Sequence, residues 1–199
     1  MEKGIDEWMS EGCYDTIWIE HDINENSTVL ELGGYKGRWV EKIRQIYNPK
    51  IFILEPIKEY YEDLNNRFSS DKIKVLNVGI STEDKFVEFY LKEDSTSQYI
   101  DSASNTELVE LWSIEKLFEL TGDIDLVQMN IEGEEYPLLE YLIENDLIYK
   151  FKRLMIEFHF ERRDNFSERR DNIQKKLAEK GYEKVWDYNW FFEYWVLKR

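Results

Sequence analysis

Val29-Leu30-Glu31-Leu32-Gly33-Gly34-Tyr35-Lys36-Gly37 reads as a buried strand that breaks into a glycine turn and opens a helix. Such a layout brings backbone close to a bound nucleotide. A dinucleotide fingerprint requires glycines at G-x-G-x-x-G, and the register ending at Gly37 has Leu32 in the first glycine position. What the stretch carries instead is acid-x-Gly-x-x-x-Gly, on Glu31, Gly33 and Gly37. Glycine turns after strands also serve tight strand–helix packing alone, so both readings stand at this point.

The same alternation continues on either side. Residues 1–26 form an N-terminal extension with a short helix near 4–12, and residues 27–199 form one continuous domain. Strand 28–32 leads to helix 37–47, whose Trp39, Val40, Ile43 and Ile46 share a face before Asn48-Pro49 ends it. The apolar run 51–54 closes on Glu55-Pro56, and 58–68 is again helical, with Tyr60, Tyr61, Leu64 and Phe68 on one side. Residues 73–78 supply a third strand, 86–91 a β segment in the next connection, and 93–106 a polar loop. Ser113 caps a helix running to 120. Strand 124–131, helix 136–145, strand 151–160 and helix 167–180 follow, and 182–187 with 191–197 close as an antiparallel pair. Strands alternating with helices predict a seven-stranded, mainly parallel α/β sheet covered on both faces, because parallel neighbours need crossovers.

Composition narrows the chemistry. The chain has 199 residues with 26 basic against 42 acidic side chains, a formal net charge of −16, which disfavours nucleic acid phosphates as partners. Small neutral or cationic acceptors are easier to reconcile with that charge. No apolar run approaches the roughly 20 residues needed to span a bilayer, and residues 1–7 lack a signal peptide's basic and apolar regions, so neither a membrane nor export is expected and the default compartment is the cytoplasm. Cys13 is the only cysteine, which excludes an intramolecular disulfide and a cysteine-built zinc cage.

Four separated segments agree with one family in order and spacing. They are the glycine turn 29–37; Ile53-Leu54-Glu55-Pro56; residues 124–135, which end Gln128-Met129-Asn130-Ile131-Glu132-Gly133-Glu134-Glu135; and Met155-Ile156-Glu157-Phe158-His159. The chain is identified by them as resembling the FkbM-type methyltransferases over roughly residues 27–198, and its first segment resembles motif I of class I S-adenosylmethionine-dependent methyltransferases. The resemblance implies a Rossmann-like methyltransferase sheet with a C-terminal antiparallel hairpin, S-adenosylmethionine as cofactor, and methylation of a hydroxyl on a small molecule or glycan. The family pattern Lys-x-Asp-x-Glu-Gly-x-Glu keeps Glu132, Gly133 and Glu135, whereas Gln128 and Asn130 replace its lysine and aspartate.

In an open α/β sheet the ligand sits outside the carboxyl ends of the strands, which selects the residues just beyond each strand. Glu31, Gly33, Gly34, Tyr35 and Gly37 are expected around the methionine portion, with the glycines avoiding a β-carbon clash. Glu55 follows Gly37 at close to the spacing of about 20 residues at which an acid accepts both ribose hydroxyls. Pro56 and Ile57 are expected on one side of the adenine, and Asn77, Val78 and Gly79 on the other. Asn130 and Glu132 lie two apart at a strand end, so both can face the reaction centre: the Asn130 amide accepts a hydrogen bond, and Glu132 orients a hydroxyl or takes its proton. The bland alternative for Glu132-Gly133 is a turn that caps the next helix.

His159 is the candidate general base, because imidazole titrates near neutral pH, and Glu157 is expected to share its site. A lone histidine is as often structural, and His21 receives no chemistry. Ser97 and Gln98, in the polar loop, and Trp190, near the hairpin turn, are candidate acceptor contacts, the tryptophan by stacking on a sugar. Glu132, Glu157 and His159 lack a distinctive metal-ligand spacing, so no metal is expected. Two rival readings remain open, a noncatalytic cofactor-binding or interaction protein, motivated by Gln128 and Asn130, and an NAD-dependent oxidoreductase, against which Leu32 argues.

Overall fold

The computed structural model of the protein describes residues 3–91, 106–159 and 165–198. In chain order the elements are helix α1 (Ile5–Ser10), a 3₁₀ turn at Cys13–Asp15, β1 (Thr28–Leu32), α2 (Arg38–Tyr47), β2 (Lys50–Leu54), α3 (Lys58–Phe68), β3 (Ile73–Leu76), β4 (Gly79–Ser81), β5 (Lys85–Tyr90) and β6 (Thr106–Ser113). There follow α4 (Ile114–Thr121), β7 (Leu126–Met129), α5 (Glu135–Glu144), a 3₁₀ turn at Leu147–Lys150, β8 (Arg153–Glu157), α6 (Phe166–Glu179), β9 (Tyr182–Asp187) and β10 (Phe192–Leu197).

Seven strands form one sheet in the order β3-β2-β1-β7-β8-β10-β9. All neighbours up to β8 pair in parallel, and β10 is antiparallel to both β8 and β9. The predicted seven-stranded sheet with its closing hairpin is therefore present. The hairpin's second strand, rather than its first, lies beside β8. The chain order reverses between β1 and β7, and at such a switch point the strand ends open a crevice for a ligand.

Alternation along the strands sends two apolar sets to opposite faces. Leu30, Leu32, Phe52, Leu54, Val127, Met129, Leu154 and Ile156 join Leu117, Leu138, Leu142, Ile173 and Leu177 of α4, α5 and α6 in one core. Val29, Ile51, Ile53, Leu126 and Met155 join Trp39, Ile43, Leu64 and Phe68 of α2 and α3 in the other. That second core also takes in Trp8, Cys13, Trp18 and Ile23, so the extension packs into the body of the protein. Trp8 meets Tyr14, Tyr188 and Phe191 edge to face at centroid distances of 5.5, 5.1 and 5.3 Å. Here the aromatic-rich hairpin closes on the start of the chain, and the Asn189 N–H donates to the Lys3 carbonyl.

Several boundaries differ from the sequence-based expectation for physical reasons. The third strand stops at Leu76 because the chain turns away to form a separate three-stranded sheet, β4-β6-β5, roofing one side of the crevice. Within it β6 was not anticipated; its Val109 and Leu111 face inward onto Ile57 while Leu108 stays exposed. The strand expected over 124–131 is regular only from Leu126 to Met129, with Ile124 forming an isolated bridge to Phe151. The strand expected over 151–160 ends at Glu157.

Candidate active site at the carboxyl ends of β1, β2, β7 and β8

The glycine turn after β1 is built by its own packing. Gly33 has φ +83°, and a β-carbon there would lie 2.0 Å from the Asn130 carbonyl oxygen, so the turn passes directly against the end of β7. At Gly34 a β-carbon would meet the side chains of Ile53 and Leu64 at 2.5 and 2.8 Å; at Gly37, φ +67°, it would meet Phe68 and Leu64 at 2.5 and 2.7 Å. Gly79 faces Leu111 in the same way, at 2.4 Å. Protein atoms therefore account by themselves for the absent side chain at each of these glycines, independently of any ligand. Tyr35 takes φ +43°, and its N–H donates to Glu55 Oε2 at 2.8 Å. Its ring stands edge to face with Tyr60 at 4.7 Å.

Glu55, 4% exposed, has its other oxygen occupied by the Ile57 N–H at 2.8 Å. Burial pushes this carboxyl up to about 7 against the pull of its two N–H donors, with Glu107 adding to the rise. Glu31 lies in β1, 3% exposed, rather than beyond the strand end. It takes a hydrogen bond from the Val40 N–H in the first turn of α2, yet burial and then the neighbouring Glu55 raise its pKa well above the carboxylate range. Its Oε2 finds no hydrogen-bond partner among the described residues, and neither does Oε1 of Gln128, 4% exposed. Glu31 and Gln128 are register partners on adjacent parallel strands, which sends both side chains to the same face.

The expected adenine contacts divide. Asn77 is exposed, and its amide donates to the carbonyls of Glu55 and Pro56 at 3.0 and 2.9 Å, fixing the turn after β2. Pro56 stays partly exposed. Ile57 and Val78 do not remain at an open edge: Ile57 packs beneath Val109 and Leu111, and Val78 packs into the main core. Each is 5% exposed and held in place by these apolar neighbours.

The turn between β7 and α5 holds the charged part of the site. Glu135, fully buried, wraps the turn around its carboxylate: Oε1 accepts the Ile131 N–H at 2.7 Å and Oε2 the Gly133 N–H at 2.8 Å. His159 comes from the other side, its Nδ1 3.0 Å from the same Oε1 and its Nε2 3.6 Å from Glu132 Oε1. Tyr136 Oη donates to the His159 carbonyl at 2.9 Å. Glu132 has φ +55° and Gly133 φ +104°, so strand alternation breaks before Glu132 and the left-handed turn aims its carboxylate. Burial opposes the imidazolium, but Glu135, then Glu132 and Glu157, outweigh it and hold His159 up at about 10. The expected general base therefore has both ring nitrogens facing carboxylates, Nδ1 toward Glu135 and Nε2 toward Glu132.

Glu157 is pushed up to about 7 by burial, with His159 opposing and Glu135 and Glu132 reinforcing the rise. Asn130, half-buried, donates its backbone N–H to the Leu32 carbonyl. Trp190 lies at the hairpin with the Arg170 guanidinium 5.3 Å from its ring centroid, so a protein cation covers the ring proposed to stack on a sugar. Ser97 and Gln98 lie outside the described residues. Sequence reasoning assigns Glu135 no role, although its signal is present: an acid two residues beyond a glycine at a strand-to-helix turn, placed to accept the turn's N–H groups.

The family described as the methyltransferase FkbM domain matches residues 31–184, a span that starts at Glu31 and takes in every carboxylate above. The chain belongs to the FkbM methyltransferase family. It is an S-adenosylmethionine-dependent methyltransferase, and the oxidoreductase alternative falls with that assignment. Its fold recurs in Aeropyrum pernix fibrillarin in complex with S-adenosyl-L-methionine, with a TM-score of 0.56 at 15% identity over 94% of this chain and 74% of that one. It recurs in an S-adenosylmethionine-dependent O-methyltransferase from Thermotoga maritima, with a TM-score of 0.54 at 10% identity over 98% and 71% of the two chains. An rRNA methylase from Streptococcus thermophilus gives a TM-score of 0.54 at 11% identity over 94% and 95%. No functionally curated protein matches the sequence. Among the described residues no helix is long and apolar enough to cross a membrane.

The cofactor of an FkbM methyltransferase brings hydroxyl donors on its ribose and a cationic methionine end. The residues present suit such a group. Glu31 Oε2 and Gln128 Oε1 are buried acceptors with no donor among the described residues, and Glu55 is a buried carboxyl whose charge any added donor would stabilise.

Proposed function

We propose that the protein methylates a hydroxyl oxygen on a small molecule or glycan, with Glu132 at the end of β7 as the group that orients that hydroxyl and takes its proton. The observation carrying this reading is the Glu132–His159 pair, a partly exposed carboxylate 3.6 Å from an imidazole beside the glycine turn. In the proposed arrangement Glu31, Glu55 and the backbone from Gly33 to Gly37 hold S-adenosylmethionine, with Pro56 and Asn77 bordering its base and the Asn130 amide near its amino group. When bound, the cofactor supplies an electrophilic methyl group on a sulfonium. A hydroxyl's pKa lies far above neutral, so a carboxylate that receives the proton as the new carbon–oxygen bond forms assists the transfer, and alignment supplies the rest. His159, 3.6 Å from Glu132, contributes by orienting it, and Glu157 lies on the acceptor side. The same fold serves an rRNA methylase, so the preference for an uncharged acceptor rests on the net charge of −16 and the carboxylates in the site rather than on the fold.

Calorimetry with S-adenosylhomocysteine tests the cofactor half. Glu55→Ala is expected to weaken binding about tenfold or more, the loss of a charge-assisted pair of hydrogen bonds. Because the carboxyl must be ionised to accept both hydroxyls, parental affinity is expected to fall as pH drops below about 7. Unchanged affinity in the variant would sink the cofactor site. Release of S-adenosylhomocysteine across a panel of hydroxylated acceptors tests the transfer; tight binding without turnover on any of them favours the noncatalytic reading that neutral Gln128 and Asn130 suggest.

A further inference from the structure

We propose that Glu31 and Gln128 share one proton beneath the glycine turn in the unliganded protein, and that the cationic methionine end of S-adenosylmethionine binds by taking that proton's place. The exchange rests on the cofactor reading above, whereas the shared proton concerns the protein alone.

The two residues are register partners on the adjacent parallel strands β1 and β7, so their side chains leave the sheet on one face. The row continues into Ile53 on β2 and Met155 on β8, both fully buried, which leaves the pair as a polar island in the second core. Each residue brings a buried acceptor, Glu31 Oε2 and Gln128 Oε1, and neither atom has a hydrogen-bond partner among the described residues. Two such acceptors on neighbouring strands call for a donor. A carboxylate only accepts, but a carboxylic acid donates its O–H, here from Oε2 to Gln128 Oε1, while the Val40 N–H of α2 stays on the same carboxyl. One proton satisfies both atoms.

Turning the amide so that Nε2 donates would also pair the two residues, but it leaves a full negative charge in the core. The groups facing Glu31 are the Val40 N–H of α2, Gln128 of β7 and the Glu55 carboxyl just past β2, with no lysine, arginine or histidine among them. A buried charge without a cation is the costlier state, and the upward push of burial and Glu55 on the Glu31 pKa agrees with a retained proton. The FkbM pattern has lysine where this chain has Gln128, so the positive partner that the pattern carries within the protein is missing here. A proton fills that role in the free protein and the cofactor's ammonium in the complex: the Glu31 O–H bond breaks, the proton passes to water, and the ammonium donates to both acceptors.

Infrared difference spectra of the full chain read the proton directly. At about pH 8, where ordinary carboxyls are ionised, the parent should show the carbonyl band of a protonated acid that Glu31→Gln lacks. Calorimetry with S-adenosylhomocysteine at that pH, in two buffers of different ionisation enthalpy, should report about one proton more released by the parent than by Glu31→Gln. Working above the Glu55 value of about 7 keeps that carboxyl's own ionisation small. Parental affinity should accordingly rise about tenfold over one pH unit between about pH 7.5 and 8.5, where release from Glu55 alone levels off. Gln128→Lys, which supplies an ammonium from the chain, should ionise Glu31 and remove the band.

A parent without a Glu31-dependent acid band overturns the proposal, as does proton release unchanged in Glu31→Gln. If Glu31→Gln does not fold, Gln128→Lys decides: loss of the parental band supports the shared proton, and its persistence sinks the pairing. Binding of S-adenosylhomocysteine without proton release refutes the exchange and leaves the cofactor reading standing. No binding at all refutes both, and the infrared band then judges the proton by itself.

Discussion

Gly33→Ala separates a glycine kept for packing from one kept for ligand access. Two costs can be worked from the structure. Placing a side chain at φ +83° costs about 1–2 kcal/mol, because Cβ crowds the following carbonyl in the left-handed region. The added methyl would also stand 2.0 Å from the Asn130 carbonyl oxygen, and the atom in its way is backbone, which no rotamer change can relieve. Either the turn or the end of β7 must move, which strains the Asn130 N–H to Leu32 carbonyl bond of 3.1 Å, a contribution of about 0.5–1.5 kcal/mol. The sum is about 2–4 kcal/mol of lost stability, read as a lowered urea midpoint at unchanged slope. Gly12 and Gly122 are internal controls: their φ values are +66° and +71°, and a β-carbon at either meets nothing within 4 Å. Their alanine variants should show the backbone cost alone. If Gly33→Ala is no less stable than Gly12→Ala, within about 0.5 kcal/mol, the packing argument is wrong and the glycine serves ligand access instead.

Two further expectations concern charge. Glu157 has a folded pKa raised to about 7, so its protonated form adds stability below about 4.5 that is lost by pH 7; Glu157→Gln should match the parent at pH 4.5 and exceed it by about 1–3 kcal/mol at pH 8, measured by urea titration at both pH values. Equal stability at pH 8 would contradict it. Arg170→Met should cost about 3–5 kcal/mol, because Glu193, 1% exposed, receives the Arg170 guanidinium at 3.0 Å and would be left as an uncompensated buried charge; a loss below about 1 kcal/mol would show that Gln174 and Trp195 suffice.

The architecture was legible because its signals are local. Apolar runs bounded by Gly and Pro located β1, β2, α3 and β9, with α3 and β9 correct to the residue. β6 escaped because its alternation serves a small sheet whose partner face, Ile57 and Tyr60, lies about fifty residues away in sequence and could not be paired by inspection. The site was legible in position and less so in chemistry. Sequence order put Glu31, Glu55, Glu132 and His159 at neighbouring strand ends, but a protonation state depends on which charges fold next to a group. A histidine alone suggests a base, and the same histidine set against Glu135 and Glu132 has its pKa raised by their charges. Chain position likewise says nothing about which layer takes a side chain, and the packing of Ile57 and Val78 could not be read from it.

The packing of Trp8 against Tyr188 and Phe191 carries a consequence for how the protein comes to be folded. During synthesis the first aromatic side chains emerge long before residues 186–194 exist, and until then Trp8, Tyr14 and Trp18 have no ring partners from the hairpin. Contacts of such sequence separation are slow to form, since the loop between them must be closed before they contribute. The second core can therefore be sealed only once the hairpin has been made, and until then the tryptophans of the N-terminal segment lack its rings, an interval in which chaperone capture competes with folding.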